Sequence, residues 1–401
     1  MTRRLFDEDP FLREFEAVVM EVRAGTDLTR VLLDRTAFYP GGGGQPDDRG
    51  TLGTTRVVSV EEQDGVPWHV LDGPVPGGAR LRAAIDWARR FDHMQQHTGQ
   101  HILSQAFIGV AGAETRSFHM GEAVVTIDIE HAGPDDALLA RVEDRANEIV
   151  WEDRPVLTHV VTGDEVARYP LRKLPAVDGP IRVVEVEGFD WSACGGTHVR
   201  RSGQVGAITV LGAERYKGGT RIEFVCGGRA LRRHRDRGRL LRGLALEFTA
   251  GEMDLPSAVA RLKEERDRLG RRLKPLLKDA LDREAEALVA GAERGARGPV
   301  VARHFPDRDA AEIGTLSALI AARGAVALLF AGGDPSRAHF SAPPGTIGVG
   351  EVLEAVCRRH GGKGGGRSGS AQGAVPRDQV AGAVVTARDL ALTQSGEGTP
   401  S

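Results

Sequence analysis

Asp92-His-Met-Gln-Gln-His-Thr-Gly-Gln-His-Ile-Leu103 sets two histidines, His97 and His101, four residues apart. The apolar positions Ile102, Leu103, Ala106 and Phe107 continue past them at helical spacing. On a helix, residues four apart share a face with Cβ atoms roughly 5–6 Å apart, so two imidazoles can converge on one ion. Further along, Ser192-Ala-Cys-Gly-Gly-Thr-His-Val199 repeats that spacing with Cys194 and His198. Three imidazole nitrogens and one thiolate form a tetrahedral donor set that suits zinc. The residues alone leave two readings open: a metal site built from distant segments, or packing histidines with a buried structural cysteine. His93 makes a second, overlapping HxxxH with His97. All three cannot hold one ion, because His93 and His101 lie two turns, ~11 Å, apart along a helix.

Working outward, residues 11–85 read as short strands broken by turns. Phe15–Val22 and Arg30–Asp34 alternate apolar and polar residues, and another strand is expected near Val57–Val60. The regular punctuation points to a small barrel. A helix starts after Asp86, Val124–Ile129 reads as a strand and Pro134–Trp151 as an amphipathic helix. Strands recur at Thr158–Val161, Ile181–Val186, Ala207–Leu211 and Arg221–Val225, giving an α+β core with an antiparallel sheet. Leu255, Leu262, Leu269 and Leu276 then follow at heptad spacing, which predicts a helical arm or hairpin that Pro275 should kink or end. Beyond Gly291, Val300–Phe305, Asp309–Arg323 and Ala325–Ala331 form a βαβ-like pattern. The glycine-rich run 361–374 reads as a loop able to approach a phosphate chain, with Lys363 and Arg367 as cations, held by a strand-like Val380–Thr386. It lacks the Walker A order. The tail after Leu392 has a disordered composition. The expected divisions are 1–88, 89–230, 231–295, 296–390 and a tail at 391–401.

Composition bounds the function. A net charge of −3 advertises no global basic field, although seven arginines crowd between Arg229 and Arg242. Among them Arg232, Arg233 and Arg235 are candidate phosphate contacts, against the alternative of a solvated helix face. Three cysteines do not make a disulfide framework. The N-terminal residues have no apolar h-region, and no run of about 20 apolar residues is present, so the expectation is a cytoplasmic chain with no membrane partner.

These segments together resemble the alanyl-tRNA editing proteins, free-standing relatives of the editing region of alanyl-tRNA synthetase. Asp34-Arg-Thr-Ala-Phe-Tyr-Pro-Gly-Gly-Gly-Gly-Gln-Pro46 is similar to the family's glycine-rich motif. Asp92–His101 and Glu187–His198 are similar to its two metal motifs, with Ser117-Phe-His-Met-Gly121 between them. Residues 361–374 resemble the signature of the DHHA1 domain, so the chain looks like the family's long form. One departure is Arg367-Ser-Gly-Ser-Ala-Gln372, where the synthetases usually read Pro-Asp-Met-Ala-Gln.

The resemblance implies an N-terminal β-barrel, a two-layer α/β editing core holding zinc, a helical arm and a C-terminal α/β DHHA1 domain. It implies His97, His101, Cys194 and His198 as the ligands and leaves His93 to packing. The implied activity is hydrolysis of mischarged tRNA for alanine, chiefly the seryl ester and secondarily the glycyl ester. The synthetase's aminoacylation domain has no counterpart, so editing without charging is expected. Thr36 is implied to face the substrate, where its hydroxyl could bond a serine. Gly42, Gly43 and Gly44 would let backbone amides approach the acyl group, Gln45 could donate to its carbonyl, and Ser117 is carried over as a pocket residue. No residue stands out as a general base. A homodimer through the arm or the DHHA1 unit is compatible with the pattern. Two other classes stay open: a DHHA1-type phosphoesterase, disfavoured by the missing Asp-His-His motif, and a non-catalytic tRNA-binding module.

Overall fold

The computed structural model describes residues 2–162, 165–172 and 180–393. Its backbone divides into two compact units, Met1–Glu247 and Phe248–Ser401.

The first unit opens with a closed six-stranded barrel. Its strands run in the order Glu14–Ala24, Thr29–Leu33, Val66–Leu71, Thr55–Gln63, Gly50–Leu52 and Arg80–Ile85. Alternation decides the inner face: Phe15, Ala17 and Val19 are buried while Glu14 and Glu16 face solvent. Leu33, Phe38, Leu52, Leu71 and Ala83 fill the interior.

Asp86 then caps a 25-residue helix, Trp87–Ala111, by accepting from Arg89 N–H. Gly112, at φ 63°, ends it with its N–H on Ile108 O. The middle of this ligand helix, Gln96–Ser104, is buried on every side, so each polar group there needs a partner. Gln96, for example, donates to Cys226 O and accepts from Cys226 N–H. The helix packs with Asp136–Trp151 on an antiparallel sheet ordered Ile208–Tyr216, Gly219–Cys226, Val125–Ile129, Thr115–Met120. A separate three-stranded antiparallel sheet, Val156–Val161, Ile181–Val186 and Asp190–Ala193, delivers the second motif. The unit ends in the helix Gly227–Glu247.

The second unit begins with a 36-residue helix, Leu255–Ala290, which passes through Pro275 without ending. Of the kink or end expected at Pro275, the end does not occur. Leu262, Leu269, Leu273 and Leu276 remain exposed along this helix. A six-stranded mixed sheet follows, with Gly298–Phe305 and Val326–Ala331 parallel across the helix Ala310–Ala322, as the βαβ pattern predicts.

Two expectations for this unit are corrected. The run 361–374 is a β-hairpin, Lys363–Arg367 paired with Ser370–Val375. It is paired along its length, and several of its glycines are held by close packing. A Cβ on Gly364 or Gly366 would run into the facing strand at Gly373 or Ala371, and one on Gly350 of the helix Val349–Arg359 would meet Gly366 O. Val380–Thr386 is not a strand but the start of a helix, Val380–Thr393. Val380, Ala383, Ala387 and Ala391 supply its buried stripe, a spacing of three and four that outweighs the β-branched valines. Ala391, Leu392 and Thr393 belong to this helix, while the rest of the expected tail, 394–401, lies outside the described residues. Among the described residues no helix is long and apolar enough to cross a membrane.

Candidate metal centre

The ligand helix and the Cys194–His198 turn bring His97, His101, Cys194 and His198 together, with one donor atom of each within 4.8 Å of the others. This cluster could hold a metal ion. Cys194 Sγ lies 3.3 Å from both His97 Nε2 and His198 Nε2. A tetrahedral zinc with bonds of ~2.3 Å to sulfur and ~2.0–2.1 Å to nitrogen would set these separations near 3.6 Å, so a small expansion accommodates the ion.

Each imidazole is held from behind. His97 Nδ1 donates to Gln45 Oε1 at 2.8 Å, and His101 Nδ1 donates to Asp190 Oδ2 at 3.0 Å. His198 Nδ1 lies 3.1 Å from Thr98 Oγ1. Fixing Nδ1 fixes the ring's orientation and leaves Nε2 to face inward, the arrangement that tunes metal-ligating histidines. Burial pushes His198 down to about 3, which keeps it neutral. Burial also opposes charge on His101, but its hydrogen bonds to Asp190 and Cys194 raise it to about 9. Burial alone would raise the Cys194 thiol, yet the imidazoles of His97 and His198 hold it well below its ordinary value. His93 is outside the cluster. Its Nδ1 has no partner among the described residues, and burial pushes it down to about 3.

The glycine-rich segment supports this centre in an unexpected way. Gly41 to Gly44 all have positive φ, from 55° to 135°, so the chain turns tightly here and only glycine adopts it readily. The turn delivers Gln45 into the interior. Gln45 Oε1 accepts from His97 and from Thr197 N–H, while its Nε2 donates to Thr197 Oγ1 at 2.8 Å. Its Oε1 and one of its two Nε2 hydrogens are therefore committed to the ligand helix and the Cys194–His198 turn, and these contacts leave the second N–H unused. Three residues on, buried Asp48 pairs with buried Arg90 of the ligand helix and accepts from Tyr39 N–H. In the second motif Gly188 is forced by its φ of 65°, and Gly196 because a Cβ there would strike the His97 ring. Gly195 faces open space.

The remaining candidates are scattered. Thr36 is fully buried in the barrel, with Oγ1 2.7 Å from His69 Nε2 and accepting from Phe38 N–H. Because His69 Nδ1 lies 3.3 Å from the Val31 carbonyl, Nδ1 carries the proton and the threonine hydroxyl donates to Nε2. Burial pushes His69 down to about 4, so the ring stays neutral. The hydroxyl expected to read a substrate serine thus has its proton engaged inside the barrel. Ser117 donates to Asp128 at 2.6 Å and lines a cleft of about 230 Å³ with Phe118, Arg172, Ser192 and Ala193. Phe118 stacks on His97 with ring centroids 5.2 Å apart, so this cleft abuts the cluster. A second cleft, of about 480 Å³, is lined by Tyr39, Gly41 to Gly43, Arg182, Gly195 and Gly196. Arg182 donates to the carbonyls of Cys194 and Gly196, pinning the turn. Arg232, Arg233 and Arg235 are exposed on Gly227–Glu247, and Lys363 and Arg367 are exposed on the hairpin. Arg229, by contrast, is buried against Asp92, out of reach of a phosphate.

Sequence reasoning missed Asp190, Thr98 and Arg172. Asp190 could have been noticed as a carboxylate four residues before a candidate cysteine ligand. Nothing in the linear sequence marks Arg172 or Thr98.

Residues 181–223 match the family described as "Threonyl and Alanyl tRNA synthetase second additional domain", and residues 298–392 match the DHHA1 domain. The chain is similar to the alanine–tRNA ligase of Korarchaeum cryptofilum, 32% identical over 396 residues that cover 94% of this chain and 44% of the ligase. It thus spans less than half the length of that relative. It is 31% identical over 423 residues to the alanyl-tRNA editing protein Aarsd1 of Mus musculus, covering 98% of this chain and 99% of the mouse protein. With the alanyl-tRNA editing protein AlaX-L of Pyrococcus horikoshii it shares 36% identity over 241 residues, 58% of this chain and 59% of the other.

Proposed function

The chain belongs to the alanyl-tRNA editing protein family, and on that premise we propose that it hydrolyses the ester of mischarged tRNA(Ala). Seryl-tRNA is the chief substrate and glycyl-tRNA the second. The observation that carries this reading is the His97, His101, Cys194 and His198 cluster, each histidine held from behind, with clefts lined by the chain neighbours of Cys194, Ala193 in one and Gly195 in the other. A synthetase pocket for alanine discriminates against a residue differing by one small group by only ~10²-fold, which creates the need for a second hydrolytic site.

The donor set fits zinc. Bound there, the ion would supply Lewis acidity toward the ester or its terminal ribose and lower the pKa of a bound water. Four protein ligands complete a tetrahedron, so an open coordination position arises only when one of them leaves. The chain's own residues do the rest. Gln45, Asp190 and Thr98 orient the imidazoles, Phe118 walls the smaller cleft against His97, and Arg182 holds the Cys194–Gly196 backbone. Arg232, Arg233, Arg235, Lys363 and Arg367 are exposed cations suited to tRNA phosphates.

The test is incubation of the purified protein with Ser-tRNA(Ala), Gly-tRNA(Ala) and Ala-tRNA(Ala). Selective loss of the seryl ester is expected, and sparing all three would refute the activity. Metal analysis should find one zinc per chain that Cys194→Ala and His101→Ala lose and His93→Ala keeps.

A further inference from the structure

Arg172 stands out among the groups that the site's architecture leaves unused. Its N–H donates to Trp191 O of the strand Asp190–Ala193, and its side chain is 17% exposed. One edge of the guanidinium is fixed. NH2 donates to Ser192 Oγ at 2.9 Å, Ser192 donates to Asp190 Oδ2 at 2.9 Å, and the same oxygen accepts from His101. Nε lies 3.6 Å from Asp190 Oδ1, beyond hydrogen-bond distance. The other edge is free: NH1 is buried from solvent and has no partner among the described residues. The group lines the 230 Å³ cleft whose far wall, Phe118, stacks on His97. The second arginine of that cleft, Arg116, is already paired with Glu130 at 2.7 Å.

A near-buried guanidinium with an unmade hydrogen bond is costly unless a ligand completes it. Ser192 holds NH2, while NH1, closed off from solvent, has to turn outward to meet a ligand. Resting on the deacylase reading above, we propose that Arg172 is a substrate-recognition residue that grips the phosphate 5′ to the terminal ribose of the acylated tRNA. The chemistry of that tRNA end selects this group. The ester is neutral and the amino acid carries an ammonium that a guanidinium repels. The full negative charge closest to the ester is the phosphodiester, one ribose away. Planar guanidinium donors suit phosphate oxygens. The chain of hydrogen bonds from NH2 through Ser192 to Asp190 also ties the grip to the carboxylate that orients His101.

The experiment compares the full chain with Arg172→Gln and Arg172→Lys on Ser-tRNA(Ala), measuring kcat and KM across a salt series, with zinc content and melting temperature of the same preparations. Arg172→Gln is expected to raise KM about tenfold, the scale of one charge-assisted hydrogen bond, with kcat within about twofold of the parent. The slope of log KM against log salt should become shallower by about 0.7–0.9, because one phosphate contact fewer releases about one counterion fewer. Arg172→Lys keeps the charge and should restore the slope and part of KM. Unchanged KM and slope would overturn the proposal. So would a fall in kcat alone, which places the arginine at the transition state, or loss of zinc in both variants, which makes it a support for Asp190. If the parent protein hydrolyses no ester, the deacylase reading itself fails and this proposal falls with it. An active parent with unaltered variants sinks this proposal alone.

Discussion

Gln45→Ala separates two jobs that one amide could hold. In the structure Gln45 accepts from His97 Nδ1 at 2.8 Å and from Thr197 N–H at 3.0 Å, and donates to Thr197 Oγ1 at 2.8 Å. Alanine removes all three contacts and leaves two buried N–H donors without an acceptor, His97 Nδ1–H and the Thr197 amide. Each unmade buried hydrogen bond costs ~1–3 kcal/mol, so the variant should lose ~2–6 kcal/mol of folding stability unless water enters the gap. The His97 ring also loses the contact that aims Nε2 inward. Removal of such a support typically costs 10–100-fold in metal affinity, or ~1.4–2.7 kcal/mol. Chelator competition on refolded, zinc-loaded protein measures the affinity, and urea unfolding with and without chelator measures the stability. Gln45→Glu sharpens the comparison: its carboxylate can still accept from His97 but cannot donate to Thr197 Oγ1, so zinc affinity should recover further than stability. Undiminished zinc affinity in Gln45→Ala, accompanied by a large fall in kcat, would refute this reasoning and return Gln45 to the substrate.

Other substitutions probe the same architecture. Gly196→Ala should abolish zinc binding because its methyl group collides with the His97 ring, whereas Gly195→Ala, facing open space, should bind zinc as the parent does; equal zinc content in the two would contradict the packing. Asp48→Asn and Arg90→Ala each leave a buried charge unmatched and should cost ~3–5 kcal/mol in denaturant unfolding. Thr36→Val strips the donor from His69 and the acceptor from Phe38 N–H, so it should lower stability by ~2 kcal/mol or more and weaken removal of serine and glycine alike. A selective loss on the seryl ester would instead show the hydroxyl reaching the substrate.

The barrel, the ligand helix and the βαβ start of the second unit were legible because each rests on local periodicity: two residues for Phe15, Ala17 and Val19, and a capped helical pattern after Asp86. Each half of the four-residue cluster was legible in its local spacing, while the joining of the halves into one ligand set rested on the family resemblance. What escaped is what long-range packing decides. Val380–Val385 is β-branched enough to pass for a strand, and only the alanines on one face of Val380–Thr393 mark it as a helix docked on a core. The glycines of 361–374 read as an anion cradle because sequence cannot show the strand and helix that crowd them. Pro275 ought to break a helix on propensity, yet Leu255–Ala290 runs through it. The internal partners of Gln45 and Thr36 were equally hidden, because a linear sequence cannot show which buried groups a polar side chain will meet.

Those partners give the barrel a chemical reason to precede the metal helix. Gln45 and Asp48, three residues apart on one turn, reach His97 and Arg90, which lie seven residues and so two turns apart on the ligand helix. Two anchors at that separation fix the helix against both sliding and rotation relative to the glycine-rich turn. A rotation of one residue would carry His97 about 100° around the axis and away from Cys194. Asp47 adds a third tether, accepting from Val60 N–H of the barrel and pairing with Arg89 at 3.6 Å. The Gln45–Asp48 segment therefore does for the helix what Gln45 does for the imidazole: it sets orientation from behind. Inserting one glycine between Pro46 and Asp47 would leave every metal ligand in place in the sequence while uncoupling Gln45 from Asp48. Zinc affinity should then fall as far as in Gln45→Ala, although no ligand has been touched. An insertion variant that binds zinc like the parent would show that the core holds its ligands without the barrel, and this account of the motif would be wrong.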